Sequence, residues 1–118
     1  MDSTPRRVAF VGADLMGRAR IDDAVRRAGM ELTVLASPRP GDVDQIAADL
    51  VLIDLDAAGV EFVRAWGDRG SAIRAIGYFS HVDATLGEAA SAAGIEALPR
   101  GRFWRTLPEI LGLPNEGE

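Results

Sequence analysis

The sequence predicts a single α/β domain: a five-stranded parallel sheet with helices on both faces. Three observations carry that expectation. Leu50-Val51-Leu52-Ile53 runs four apolar residues straight into Asp54, the pattern of a strand buried on both faces in the middle of a parallel sheet. Strand-like and helix-like stretches alternate along the chain with short loops between them, as parallel strands joined by crossovers require. The length of 118 residues suits one core and not two. Full burial of each side chain in the central run contributes about 1.5–3 kcal/mol, so this strand anchors the fold and sets Asp54 where the chain leaves the core. In open α/β sheets that carboxyl edge is where ligands and chemistry lie.

After a leader of residues 1–6, Arg7-Val8-Ala9-Phe10-Val11-Gly12 reads as the first strand. Asp14 is a natural N-cap for a helix in which Gly17, Ile21, Ala24, Val25 and Ala28 recur at helical spacing, ended by Gly29. Glu31 to Ala36 forms the second strand, stopped by Ser37-Pro38-Arg39-Pro40-Gly41. A short helix over Asp42 to Ala48 precedes the central strand. Val60, Phe62, Val63 and Trp66 mark the third helix, which breaks near residues 67–70. Ala72 to Ser80 is the fourth strand, and Asp83 caps a helix carrying Leu86, Ala89, Ala90 and Ala93. Ile95 to Leu98 is a short fifth strand. Pro99-Arg100-Gly101 turns the chain into a last helix with Phe103, Leu107, Ile110 and Leu111, which Pro108 interrupts or brings to its final turn. The domain spans 7–112, with a polar tail over 113–118.

Composition narrows the chemistry. There is no cysteine, which excludes disulfides, thiolate catalysis and thiolate-ligated metals. The net charge of −5 does not favour nucleic acid. No apolar run is long enough to span a bilayer and the N-terminus lacks a signal-peptide core, so a cytoplasmic location away from membranes is expected. All 13 basic residues are arginine, which rules out any mechanism that needs an ammonium side chain. Residues 12–17 have the wrong glycine spacing for a dinucleotide fingerprint. Ser80, His81 and Asp54 supply a Ser–His–Asp set in name only, because adjacent residues diverge when extended and no nucleophile elbow is present.

The chain resembles, over nearly its whole length, the receiver domain of two-component response regulators. Val51-Leu52-Ile53-Asp54, the alternating order and Ala92-Ala93-Gly94 before the fifth strand carry the likeness. The resemblance implies a flavodoxin-like (βα)5 three-layer sandwich with strand order 2-1-3-4-5, and makes Asp54 the equivalent of the phospho-acceptor. It also implies an acidic pair after the first strand, a hydroxyl after the fourth and a Lys–Pro after the fifth. Here those positions hold Gly12-Ala13 with Asp14 one step beyond, Phe79-Ser80, and Leu98-Pro99-Arg100. One acid in place of a pair leaves few hard ligands for the Mg²⁺ that receiver phosphorylation uses. A guanidinium cannot copy a mobile ammonium but pairs well with a carboxylate, so Arg100 or Arg18 is expected to neutralise Asp54 permanently. The chain is also similar to a group of short stand-alone bacterial receiver-like proteins through Asp14-Leu15, Arg18, Arg20-Ile21, Asp54-Leu55, Gly77-Tyr78-Phe79-Ser80-His81-Val82, Leu98-Pro99-Arg100 and Phe103. That likeness supports a set of residues and adds no activity.

The polar residues follow strands one, three, four and five, so the fold should bring Asp14, Arg18, Asp54, Ser80, His81 and Arg100 to one edge. Each has a plainer reading beside the functional one. Asp14 could be only a cap, Arg18 a solvated helix residue and His81 a loop residue bonded to a carboxylate. Asp54, set directly after four buried residues, must find a partner or have its pKa raised. Phe103 and Trp104 are consecutive and cannot both face the core from one helix. Trp104 is therefore expected partly exposed beside Arg102 and Arg105, with Phe103, Trp104 and Arg105 forming a partner surface on the face of the fourth helix, fifth strand and fifth helix. The alternative is a Trp lying flat on its own domain. The expected function is a stand-alone pseudo-receiver that is not an enzyme, carries no cofactor or metal and acts by contact with a protein partner; the same face could serve a homodimer. The alternative is a small-molecule or anion site around Asp14, Arg18, Asp54, His81 and Arg100.

Overall fold

A computed structural model describes residues 6–70, 72–81 and 83–114. Residues 1–5 of the leader, Ser71, Val82, and Asn115 to Glu118 of the tail lie outside the described residues. The elements are β1 (Arg7–Val11), α1 (Leu15–Arg27), β2 (Glu31–Leu35), a 3-10 helix (Pro40–Gln45), β3 (Leu50–Asp54), α2 (Leu55–Arg69), β4 (Arg74–Phe79), α3 (Ala84–Ala92), β5 (Glu96–Pro99) and α4 (Arg100–Ile110). All strands pair in parallel in the order β2-β1-β3-β4-β5, as expected. Every residue of β3 is buried.

Side chains alternate across a strand, and β3 therefore feeds two core layers. Val51 and Ile53 pack with Phe62, Trp66 and Ala90 under α2 and α3. Leu50 and Leu52 pack with Ile21, Tyr78, Phe103 and Leu107 under α1 and α4. Asp14 and Asp83 cap their helices as expected, accepting from Met16 N at 3.1 Å and Leu86 N at 3.2 Å. Among the described residues no helix is long and apolar enough to cross a membrane.

The elements depart from expectation in two places. The segment before β3 is a six-residue 3-10 helix and not an α-helix over Asp42–Ala48. Pro40 starts it, the Arg39 amide donates to Asp42 Oδ2 at 3.0 Å, and it buries only Val43, too little apolar surface to hold an amphipathic helix in place. α2 begins directly after Asp54, well before Val60, and its first turn is set off by Gly59 at φ 79° and ψ 167°. Only glycine takes that backbone without strain, so residues 55–58 form a separate turn at the tip of β3.

Candidate functional site

The site lies at the carboxyl ends of β1, β3 and β4, where three elements aim polar groups at one another. Asp14, the cap of α1, receives a hydrogen-bonded ion pair from Nη2 of Arg100, the first residue of α4. The Arg100 guanidinium lies 5.3 Å from the centre of the Tyr78 ring. The Arg100 bond, with help from the Gly17 amide, holds the Asp14 carboxyl below the usual carboxylate range, and the same bond raises the pKa of Arg100. Tyr78 is fully buried. Desolvation first, then the charges of Asp54 and Asp14, raise its phenol pKa, and its hydroxyl completes no regular hydrogen bond among the described residues.

Asp54 is not in an ion pair, contrary to expectation. It is only 8 % exposed and turns back to cap α2, accepting from Ala57 N at 3.3 Å. Arg100 acts on it only at longer range, because the first turn of α4 sends the guanidinium to the cap of α1. Desolvation is the main reason the Asp54 pKa is raised; the Ala57 amide opposes it, and the like charges of Asp56 and Asp14 add to it. Between the unfolded-state pKa, near 3.8, and the raised folded value, the native chain holds a proton the unfolded chain has lost, so stability falls as pH rises through that window. Asp54→Asn keeps the cap and removes the charge. It is expected to be more stable than the parent at pH 7 by about 1 kcal/mol and to lack that decline in urea midpoints taken from pH 4 upward. Equal stability at pH 7 would mean that Asp54 is already compensated.

The other expected site residues do not join this cluster. Arg18 is exposed and lines a groove with Leu15, Asp22 and Leu32 on the β2 side of α1. Ser80 is exposed, and its amide donates to Asp56 Oδ2 at 2.7 Å. His81 lines an apolar cavity beside α3. The six residues expected at one edge are thus divided between the two faces of the sheet, with Asp14, Asp54 and Arg100 alone gathered. Tyr78 and Asp56 were missed. Tyr78 had a signal, since a phenol in an otherwise apolar buried strand needs a partner.

The expected partner surface is corrected at Phe103, while Trp104 is partly exposed and Arg105 exposed as expected. Phe103 is fully buried, 4.7 Å from the Tyr78 ring, and cannot touch a partner. Trp104 is half-buried against Tyr78 and Phe103 and is covered by Arg20, whose guanidinium lies 4.7 Å from the indole centre. It lies on its own domain. Only Arg105 of the three is exposed.

The resemblance brings with it a Mg²⁺ held by carboxylates, and the residues present do not fit one. Asp14 is occupied by Arg100. At Gly12, where the receiver pattern puts an acid, a Cβ would lie 2.8 Å from Asp54 Cβ and 3.0 Å from Phe10 Cζ, so no carboxylate could be added there without displacing the core. Among the described residues no three Asp, Glu or His side chains gather as a metal site.

No family model and no curated protein matches this chain. Solved structures do. A response regulator receiver protein from Burkholderia phymatum is 22% identical with a TM-score of 0.62, over 94% of this chain and 98% of that one. A signal receiver domain from Clostridium thermocellum is 13% identical with a TM-score of 0.66, over 91% and 98%. A Burkholderia thailandensis protein assigned to pilus assembly (cpaE) is 18% identical with a TM-score of 0.67, over 90% and 94%. Together with the strand order and the aspartate at the tip of β3, these likenesses show that this chain has the fold of response-regulator receiver domains.

Proposed function

We propose that this chain is a receiver-fold signalling module that acts by contact with a protein partner and does not accept a phosphoryl group at Asp54. The observation that carries the reading is the Arg100–Asp14 ion pair. It commits the one acid after β1 to an internal cation and leaves Asp54 desolvated and hydrogen-bonded to Ala57, while the neighbouring Asp56 carboxylate accepts from the Ser80 amide. Lysine, which the receiver pattern places after the fifth strand, is absent from the whole sequence. Protein contact is supported on a surface other than the one the sequence suggested. Leu15 and Met16, in the first turn of α1, are 78% and 73% exposed, the two large apolar side chains displayed most openly among the described residues, and neighbouring Arg18 adds a charged rim. Apolar residues shown beside charge are what a transient interface needs. An anion pocket has less support, because Arg18 and Arg100, the cations it would use, point to different places.

The test is titration with Mg²⁺ and beryllofluoride, a stable mimic of the phosphoryl group, followed by amide resonances. Gly12, Asp54 and Leu55 are expected to stay in place. A saturable shift of those amides would restore phosphotransfer and overturn the reading.

A further inference from the structure

On the opposite side of the sheet from the Asp14–Arg100 pair, a cavity of about 410 Å³ opens between α3 and the carboxyl ends of β4 and β5. Its walls are Leu55, Phe79, Leu86 and Ala97. Of β5 only Ala97 lines it, so no large side chain from that strand fills the space. The volume falls within the range of about 300–1,000 Å³ typical of small-molecule sites, and the carboxyl ends of parallel strands are where such sites form in open α/β sheets.

The rim gives the cavity a charge preference. Asp83 and Glu88 stand on it, no arginine lines it, and His81 is its one basic residue. The Asp83 carboxylate is fixed at the rim by its bond from Leu86 N at 3.2 Å, while Glu88 is exposed and has no arginine partner among the described residues. We infer that this cavity binds a small cationic amphiphile, a single apolar ring or branched chain carrying an ammonium group, with the apolar body against Phe79 and Leu86 and the cation at Glu88. The net charge of −5 favours the approach of such a ligand. The inference goes beyond the signalling role and does not depend on the state of Asp54.

Three probes that share one ring and differ in charge test it on the full chain: phenethylamine, phenethyl alcohol and phenylacetate, titrated against amide resonances. Saturable shifts are expected at Leu86, Gly87 and Ala97, with phenethylamine binding about fivefold more tightly than phenylacetate, as one exposed ion pair allows. Glu88→Gln should remove most of that preference, and Ala97→Phe, which fills the cavity, should abolish the shifts while amide dispersion shows the fold intact. Absence of saturable shifts, equal binding of the three probes, or shifts that survive Ala97→Phe would each overturn the inference. So would movement of the same resonances on dilution without a probe, which would show that a second copy of the chain fills the cavity.

Discussion

Phe103→Ala is expected to lower the free energy of unfolding by about 3–5 kcal/mol, the range for removing a fully buried aromatic ring. Phe103 is 0% exposed and makes two ring contacts, with Tyr78 at 4.7 Å and edge-on with Trp104 at 5.0 Å. Such pairs add about 0.5–1.5 kcal/mol beyond area burial. The residue also pins α4 to the sheet. Arg100 begins that helix, so loosening α4 should weaken the Arg100–Asp14 pair and move the amides of Asp14 and Gly17 as well as the urea midpoint. Arg105→Ala, two residues on and exposed, is the contrast: it should change stability by no more than about 0.5 kcal/mol. A loss at Phe103 below about 1 kcal/mol would contradict its place in the core.

The fold was legible because its signals are local and mutually consistent. Four apolar residues ending in Asp54 marked the central strand, Asp14 and Asp83 marked two helix starts, and the alternation of elements left few topologies open. The 3-10 helix was less legible, since its sequence carries too little apolar periodicity to separate one turn type from another. Within the site, the sequence located Asp14 and Asp54 but not their partners. Arg100 pairs with Asp14 and not with Asp54 because of the angle at which α4 leaves β5 and the stacking of the guanidinium on Tyr78, and no spacing rule encodes either. Likewise, the adjacency of Phe103 and Trp104 implied that they diverge, yet both pack on Tyr78 and their own rings meet edge-on at 5.0 Å. Burial by α1, through Arg20 packed on the indole, comes from a helix about eighty residues earlier in the chain.

Asp54 and the apolar cavity are close in sequence and lie on opposite faces of the sheet; Leu55 is the residue between them. It starts α2 directly after Asp54, is 1% exposed, and forms part of the cavity wall. Gly77 of β4 makes room for it. A Cβ at Gly77 would lie 2.6 Å from Leu55 Cγ and 2.8 and 2.9 Å from its two methyl carbons. All three atoms lie beyond the Leu55 Cα–Cβ bond and move together, so the added methyl forces either a new χ1 rotamer on this buried side chain or a shift of the short turn up to Gly59.

Gly77→Ala is therefore expected to cost about 1–3 kcal/mol by overpacking and to shift the amides of Asp54 and Ala57, because the cap moves with Leu55. Leu55→Ala alone should cost about 2–5 kcal/mol. Combined, the two should cost less than their sum, with a coupling of about 0.5–3 kcal/mol, since the truncated side chain no longer meets the added methyl. Urea unfolding of the four proteins in the cycle measures that coupling directly. Strict additivity would mean that Gly77 and Leu55 do not touch, and that the turn carrying Asp54 is held by something other than the close approach of α2 to β4.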